Sequence, residues 1–303
     1  MGKNLRKNLS DISLFFVAIV WGGGFVVIKD TLTTVTPMLL IMLRFIIAAT
    51  IMYVLFYKKI GKITINDLKK GSVVGFILYL AFATQTYGLQ FTTASKQGFL
   101  TAVYVAIVPF LYWILYKKMP KLKVFLGSAL TIIGIGLISL HGSLNINIGD
   151  VLTLLCALFF AMHIISVEYF AKDMNVYKLA FIQIAVAAFF STVSAVATEP
   201  IILNLTSRAW FSILFLAIFS TFACFTVQNI AQKYTSSSHA SIIMSLESVF
   251  AAIFGVILLH EIMTPLMILG CVFIFAAILI IELDFNIFKS KNKIKDISKN
   301  NIN

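Results

Sequence analysis

The sequence predicts an all-α integral membrane protein of ten transmembrane helices, arranged as two inverted five-helix repeats. Three observations predict this fold. Ten apolar runs fill almost the whole chain, 60% of its residues are hydrophobic and 12% charged, and the basic residues collect in every second connection. Soluble domains carry about 25% charged residues. A soluble fold could therefore not cover this much apolar surface.

Each apolar run is long enough to cross a bilayer, because a hydrocarbon core about 30 Å thick needs roughly 20 residues of helix. A signal peptide could also begin with basic residues before an apolar stretch. The first run is too long for that, and nine others follow it. In chain order, the predicted spans are 12–28, 37–57, 71–91, 98–116, 122–140, 149–169, 176–197, 209–231, 240–259 and 265–283.

The basic residues predict the orientation in the membrane. With the N-terminus in the cytoplasm, every Lys and Arg outside the spans lies on the cytoplasmic side except Lys29, Lys96 and Arg208, while Arg44 lies within a span. Cytoplasmic loops carry an excess of such residues. We therefore expect a multi-pass protein of the cell membrane with both termini in the cytoplasm. The net charge of +12 then reflects topology, and we expect no nucleic-acid partner.

Two halves of the chain resemble each other weakly. They meet near the segment His141–Gly149, which has no Lys or Arg. Asp11 before the first span parallels Asp150 before the sixth, and Phe91–Ser95 parallels Tyr234–Ser238. The predicted organisation is a cytoplasmic N-terminus (1–10), two five-helix repeats (11–142 and 147–285) and a basic disordered cytoplasmic tail (286–303).

An odd number of spans in each half predicts that the second half enters the membrane upside down. Continuing the register pairs Tyr104 with Glu247 and Lys118 with Glu261. The second pair places Lys inside and Glu outside, as inversion requires. Inverted repeats are typical of secondary transporters, whose substrate site lies near the midplane between the repeats.

Several segments resemble the drug/metabolite transporter superfamily, and within it the EamA-type ten-span transporters. The similarity covers roughly residues 11–285. It is carried by Trp21–Phe25 (WGGGF), Leu43–Ala49 (LRFIIAA), Thr93–Pro109, which begins TASK, and Ser236–Glu261, which contains LESVFAA.

The resemblance implies the inverted-repeat fold and a transport function. Its members carry amino acids, nucleotide sugars, amines and drugs, so it does not select a substrate. The chain departs from the family pattern at Ser248, where Pro is common, at His260, where Gly is common, and at Lys118, where many members have an acidic residue.

Glu247 is the first candidate site residue, because it falls near the middle of the ninth predicted span. A charged side chain there costs roughly 2.5–3.5 kcal/mol. A basic partner, a proton or a cationic ligand group could offset that cost. A structural hydrogen bond is the alternative. Ser241, Ser245 and Ser248 are predicted to share a helix face beside it.

Other polar residues within the spans have two interpretations each. Arg44 could snorkel outward, pair with Glu247 or bind an anionic group. Lys96 could anchor at the interface or contact the substrate. His163 could shuttle protons or pack, and Trp21 could stack on a substrate or pack. The predicted substrate-binding set is Trp21, Arg44, Gln85, Lys96, Tyr104, His163 and Glu247.

The mixed charge of these candidates favours a zwitterionic or anionic metabolite. We expect transport of a small polar organic solute, an amino acid or related compound, in the direction of export. The alternative is a lipid or lipid-linked sugar translocase on the same scaffold. No catalytic or nucleotide motif occurs in the sequence, so we expect neither an enzyme nor a cofactor. The expected partners are the solute and the lipid bilayer, and a homodimer is left open.

Overall fold

The computed structural model describes residues 3–139 and 147–282. The predicted boundary between the two repeats lies largely outside these ranges. The predicted basic tail lies wholly outside them. Within them the chain forms ten helices: α1 (Lys3–Thr31), α2 (Pro37–Ile60), α3 (Ile65–Gln90), α4 (Ala94–Tyr116), α5 (Leu122–Ser139), α6 (Ile148–Ala171), α7 (Val176–Thr198), α8 (Ser207–Gln232), α9 (Ser237–Leu259) and α10 (Pro265–Glu282).

The prediction of an all-α protein with ten apolar helices is confirmed. Eight helices are long and apolar enough to cross a membrane. The other two, α5 and α10, contain the shorter apolar stretches Leu122–Gly134 and Pro265–Ala277 among the described residues. Each of the ten helices coincides with one predicted span, as a chain whose backbone must be satisfied within each lipid-exposed segment requires.

Several helices begin earlier than their apolar runs. α1 includes residues 3–10, which we assigned to a separate N-terminus. α3 begins six residues before the predicted span because Thr64 and Asp67 form a capping box, each side chain bonding the other's backbone N–H. Thr93 caps α4 by accepting a hydrogen bond from the Lys96 N–H. Capping hydrogen bonds make such polar first turns stably helical. A search for apolar runs does not include them.

α4 and α9 are interrupted at matching places. α4 consists of Ala94–Thr101 and Tyr104–Tyr116, and α9 consists of Ser237–Ser245 and Glu247–Leu259. Both helices enclose 23 residues, and both end in a residue with left-handed backbone. The duplication predicted from the sequence would produce such an agreement, and it stays a prediction. The opposite membrane orientation of the two halves stays a prediction.

Packing between the halves follows one pattern. α2 packs against α7, α4 against α9, and α5 against α10. In addition, α3 packs against α6 as α8 packs against α1. Each helix of the first half has a counterpart five helices later, so that α1 corresponds to α6 and α3 to α8. The set of contacts stays the same when every helix is exchanged for its counterpart. A central cavity is surrounded by seven helices, which are α1, α2, α3, α4, α6, α8 and α9.

Carboxylates fix the ends of several helices. Glu199, after α7, accepts hydrogen bonds of 3.0–3.1 Å from the backbone N–H groups of Met38 and Leu39 at the start of α2. Glu261, after α9, accepts one of 2.6 Å from the Ala94 N–H at the start of α4. The first N–H groups of a helix have no partner within it, and a negative charge there is favourable. These contacts tie the two halves together.

Candidate functional site

The central cavity lies at the meeting of seven helices from both halves. Its empty space, counted together with its opening, is about 490 Å³, which limits it to a small molecule. Charged, polar and aromatic side chains share the lining. The lining residues are Trp21, Gly24, Phe25, Ile28, Arg44, Phe82, Gln85, Tyr104, Phe160, His163, Ile164, Ser220, Phe225, Gln228 and Glu247.

Six of the seven predicted site residues line this one cavity. They come from six different helices and from sequence positions more than 200 residues apart at the extremes. The structure therefore brings together candidates that the sequence could select only one at a time. The six residues are Trp21, Arg44, Gln85, Tyr104, His163 and Glu247.

Lys96 is the seventh candidate, and the structure places it elsewhere. Its Nζ lies 2.7 Å from Asp150 Oδ2 in an ion pair whose side chains are 8% and 2% exposed. It is not among the residues that line the cavity. Burial also excludes the interface-anchoring interpretation. Lys96 joins the start of α4 to the start of α6, and we remove it from the candidate site.

Arg44 is held inside the protein by α8. Its Nε donates a hydrogen bond to Thr221 Oγ1, and its Nη2 donates one of 2.8 Å to Ser220 Oγ. The guanidinium also lies over the ring of Phe82, 4.4 Å from the centroid. The residue is only 2% exposed, so it does not snorkel to the surface. The structure shows no ion pair between Arg44 and Glu247, both of which it describes.

A π-helical turn in α8 presents the partners of Arg44. It covers Leu216–Ala223, and the Thr221 hydroxyl donates a 2.9 Å hydrogen bond to the Leu216 carbonyl oxygen five residues earlier. The Trp21 Nε1–H donates to the Ser220 carbonyl oxygen at 2.9 Å. π-helical turns are rare and frequent at functional sites. Ser220 and Thr221 were not among the residues predicted from the sequence, although two adjacent hydroxyls within an apolar run were a usable signal.

Glu247 begins the second segment of α9, directly after the interruption at Leu246. It is 4% exposed and has no basic side chain within ion-pair distance among the described residues. The Tyr104 hydroxyl is close enough to interact with it electrostatically. Its place in the first turn of a helical segment offsets part of the cost of a carboxylate. The rest of that cost is not offset by a basic side chain among those that the structure describes, so Glu247 can bind a proton or a cationic group.

Gly22 lets α1 approach α9 beside this carboxylate. A β-carbon added at Gly22 would collide with Phe250 Cβ and lie 2.9 Å from the Glu247 carbonyl oxygen. Gly22 therefore serves helix packing, whereas Gly24 lines the cavity. Small residues of this kind permit close contact between membrane helices.

The serines of α9 do not extend the polar surface around Glu247. Ser241, Ser245 and Ser248 each donate a hydrogen bond of 2.7–2.9 Å to the backbone carbonyl three residues earlier. None of the three lines the cavity. The predicted serine face is therefore taken up by backbone hydrogen bonds of its own helix.

His163 and a group of aromatic rings complete the lining. His163 is fully buried, and its Nε2 lies 2.8 Å from Gln183 Oε1. Phe225 packs edge-on against the His163 ring, 5.7 Å away, and in a tilted arrangement against Trp21, 5.3 Å away, both measured between centroids. Neither Phe225 nor Gln228 was among the residues predicted from the sequence, although both line the cavity.

Comparison with known proteins identifies the family. The sequence model of the EamA-like transporter family matches residues 8–140 and again residues 147–283. A protein of Archaeoglobus fulgidus named as an uncharacterized transporter is 34% identical over 281 residues, covering 93% of this chain and 88% of the relative. The uncharacterized transporter YoaV of Bacillus subtilis is 25% identical over 279 residues, covering 87% of this chain and 93% of YoaV.

A solved crystal structure shares the fold. It aligns with a TM-score of 0.67 at 14% identity, covering 91% of this chain and 96% of the other. The two family matches leave only the short segment 141–146 between them. The chain therefore belongs to the EamA-like transporter family.

Proposed function

We propose that this transporter moves a small zwitterionic metabolite, an amino acid or a related compound, by alternating access between its two halves. One observation carries the proposal: Arg44 and Glu247 line the same buried cavity without forming an ion pair with each other. Ionisable groups within a membrane are costly and mark substrate or ion pathways. Two such groups of opposite sign match the two charges of one zwitterion.

Arg44 supplies the anion-binding end of the cavity. Ser220 and Thr221 hold its guanidinium by the Nε and Nη2 hydrogens, which leaves further N–H groups for a carboxylate. A guanidinium carries five such hydrogens and is not deprotonated in proteins. Glu247 supplies the opposite charge on α9. A solute bound between them would contact both halves of the molecule.

Glu247 is also the group that we assign to coupling. A carboxylate that binds either a proton or the cationic end of the solute links the movement of one to the movement of the other. We assign the direction as export, and we place the protein in the cell membrane with both termini in the cytoplasm. Transport leaves the solute chemically unchanged. The operating unit needs the bilayer and the solute, with homodimerisation left open.

The experiment that tests this proposal is ligand stabilisation of the purified protein. We would measure its unfolding temperature with amino acids, amines, nucleotide sugars and lipids at two pH values. A ligand present at 100 times its dissociation constant stabilises by about 2.7 kcal/mol. We expect a clear shift with amino acids that is lost in Glu247→Gln.

Two results would overturn the proposal. A shift with lipids and with no soluble compound would favour a lipid or lipid-linked sugar translocase. A shift with an amino acid that survives unchanged in both Glu247→Gln and Arg44→Gln would place the binding site outside this cavity.

A further inference from the structure

The central cavity contains buried polar atoms that have no hydrogen-bond partner. They are His163 Nδ1 and Gln228 Oε1, and they stay unpaired throughout the part of the chain that the structure describes. Each residue is at most 2% exposed, and each lines the cavity together with Glu247. Buried polar atoms are nearly always hydrogen-bonded in folded proteins. Their shared position in one cavity points to a ligand.

The chemistry of these atoms selects the ligand group. In the neutral tautomer whose Nε2 donates to Gln183 Oε1, the His163 Nδ1 is left as an acceptor. Gln228 Oε1 and the Glu247 carboxylate also accept, and the Tyr104 hydroxyl can do either. Three acceptors, one of them negative, call for a positively charged group that donates several hydrogen bonds.

Arg44 cannot take part in binding that group. It has no acceptor and carries a positive charge, so it repels a cation. Two of its hydrogens are directed to Ser220 and Thr221, and its guanidinium lies over the ring of Phe82. The cation therefore belongs with Glu247, His163 and Gln228, and an anion belongs with Arg44.

An aromatic cage for a quaternary ammonium is the competing possibility, because rings lining a cavity can bind such cations through their faces. Three of the rings here, those of Trp21, Phe82 and Phe225, are already engaged. Arg44 lies over the face of Phe82, and Phe225 packs against both Trp21 and Phe82, at 5.3 and 5.9 Å between centroids. A quaternary ammonium also has no N–H group, so it would leave all the acceptors unpaired.

We propose that this cavity binds a primary ammonium group and discriminates against a quaternary one, with Glu247 as the counter-charge and His163 Nδ1 and Gln228 Oε1 as hydrogen-bond acceptors. The inference rests on the proposed function, in which this ammonium is the cationic end of the zwitterion. It also identifies the residues that bind this end of the solute. These residues recognise the N–H groups of the ammonium as well as its charge.

The test compares two probes that differ at the nitrogen alone, n-hexylamine and hexyltrimethylammonium. Their binding to the full-length purified protein is measured by calorimetry. Hydrogen bonds that involve a charged group are the strong ones, so we expect n-hexylamine to bind at least about tenfold more tightly than hexyltrimethylammonium. Equal affinities would overturn the proposal.

Variants separate hydrogen bonding from size. Gln228→Leu removes one acceptor at similar volume, and we expect it to reduce the preference for n-hexylamine about tenfold. Gln90→Leu makes the same change at an exposed position outside the cavity and should leave the preference unchanged. A preference based on size alone would persist in Gln228→Leu, and that result would also overturn the proposal. The unfolding temperature of each variant without probe confirms that it is folded.

A third probe, L-leucine, distinguishes this inference from the proposed function. Discrimination between the two hexyl probes without any binding of L-leucine or another amino acid would support the ammonium site and contradict the amino-acid proposal. Binding of L-leucine with equal affinity for the two hexyl probes would do the reverse.

Discussion

Replacing Lys96 with Met should destabilise the protein strongly, because it leaves Asp150 as a buried carboxylate without its partner. The two charged groups lie 2.7 Å apart, and their side chains are 8% and 2% exposed. Removing one partner of a buried ion pair costs about 3–5 kcal/mol. For a chain of this size, such a loss lowers the unfolding temperature by roughly 10 °C.

An exposed ion pair provides the matched control. Arg208 and Asp30 lie 2.8 Å apart, nearly the same separation, but their side chains are 80% and 32% exposed. Exposed pairs contribute about 0–1 kcal/mol because water solvates and screens both charges. We therefore expect Arg208→Met to change the unfolding temperature little. The double variant Lys96→Met/Asp150→Leu should recover most of the loss, since apolar residues of similar volume often replace a buried pair at no cost.

Heat unfolding in detergent, followed by circular dichroism, measures all four proteins under one condition. The reasoning is refuted if Lys96→Met and Arg208→Met unfold at the same temperature. It is also refuted if the double variant is no more stable than Lys96→Met.

Three further predictions concern the cavity and the packing around it. Glu247→Gln should abolish the pH dependence of transport, and a flux with an unchanged pH profile would remove this residue from coupling. Gly98→Ala should cost about 1–3 kcal/mol of stability, because the added β-carbon would lie 2.5 Å from Ala251 Cβ, whereas Gly136→Ala has open space; equal unfolding temperatures would contradict this. Thr221→Val should weaken L-leucine binding about tenfold, and unchanged affinity in calorimetry would show that the cavity guanidinium needs no support.

The helices could be predicted from the sequence because the bilayer constrains them so strongly. A lipid-exposed chain must satisfy its backbone within each span, so length and hydropathy alone identify the helices. Their ends were less accessible. The first turn of α3 is polar and is stabilised by Thr64 and Asp67, a contact that hydropathy does not register.

Much of the cavity could also be predicted, for a related reason. Polar groups within spans are rare because they are costly. A search for such groups in the sequence therefore finds Arg44, Tyr104, His163 and Glu247. These four residues line one cavity. Lys96 followed the same logic but pairs with Asp150 on another helix. That partner depends on how α4 packs against α6, which the sequence does not state.

The aromatic lining could not be selected in this way. The chain contains 28 Phe residues, and nothing in the local sequence separates Phe82 and Phe225 from those that pack elsewhere or face lipid. The π-helical turn at Leu216–Ala223 likewise has no local signature. Its effect, the direction of two hydroxyls toward Arg44, appears only once α2 and α8 are side by side.

The central claim is that Arg44 and Glu247 bind opposite ends of one transported zwitterion. Flux of radiolabelled L-leucine and other amino acids through reconstituted liposomes tests it most directly, with the wild-type protein, Arg44→Gln and Glu247→Gln measured side by side. We predict flux above that of empty liposomes for the wild type, and a loss of about tenfold or more in each variant. Wild-type flux in both variants, or the failure of the wild type to move any amino acid, would contradict the claim.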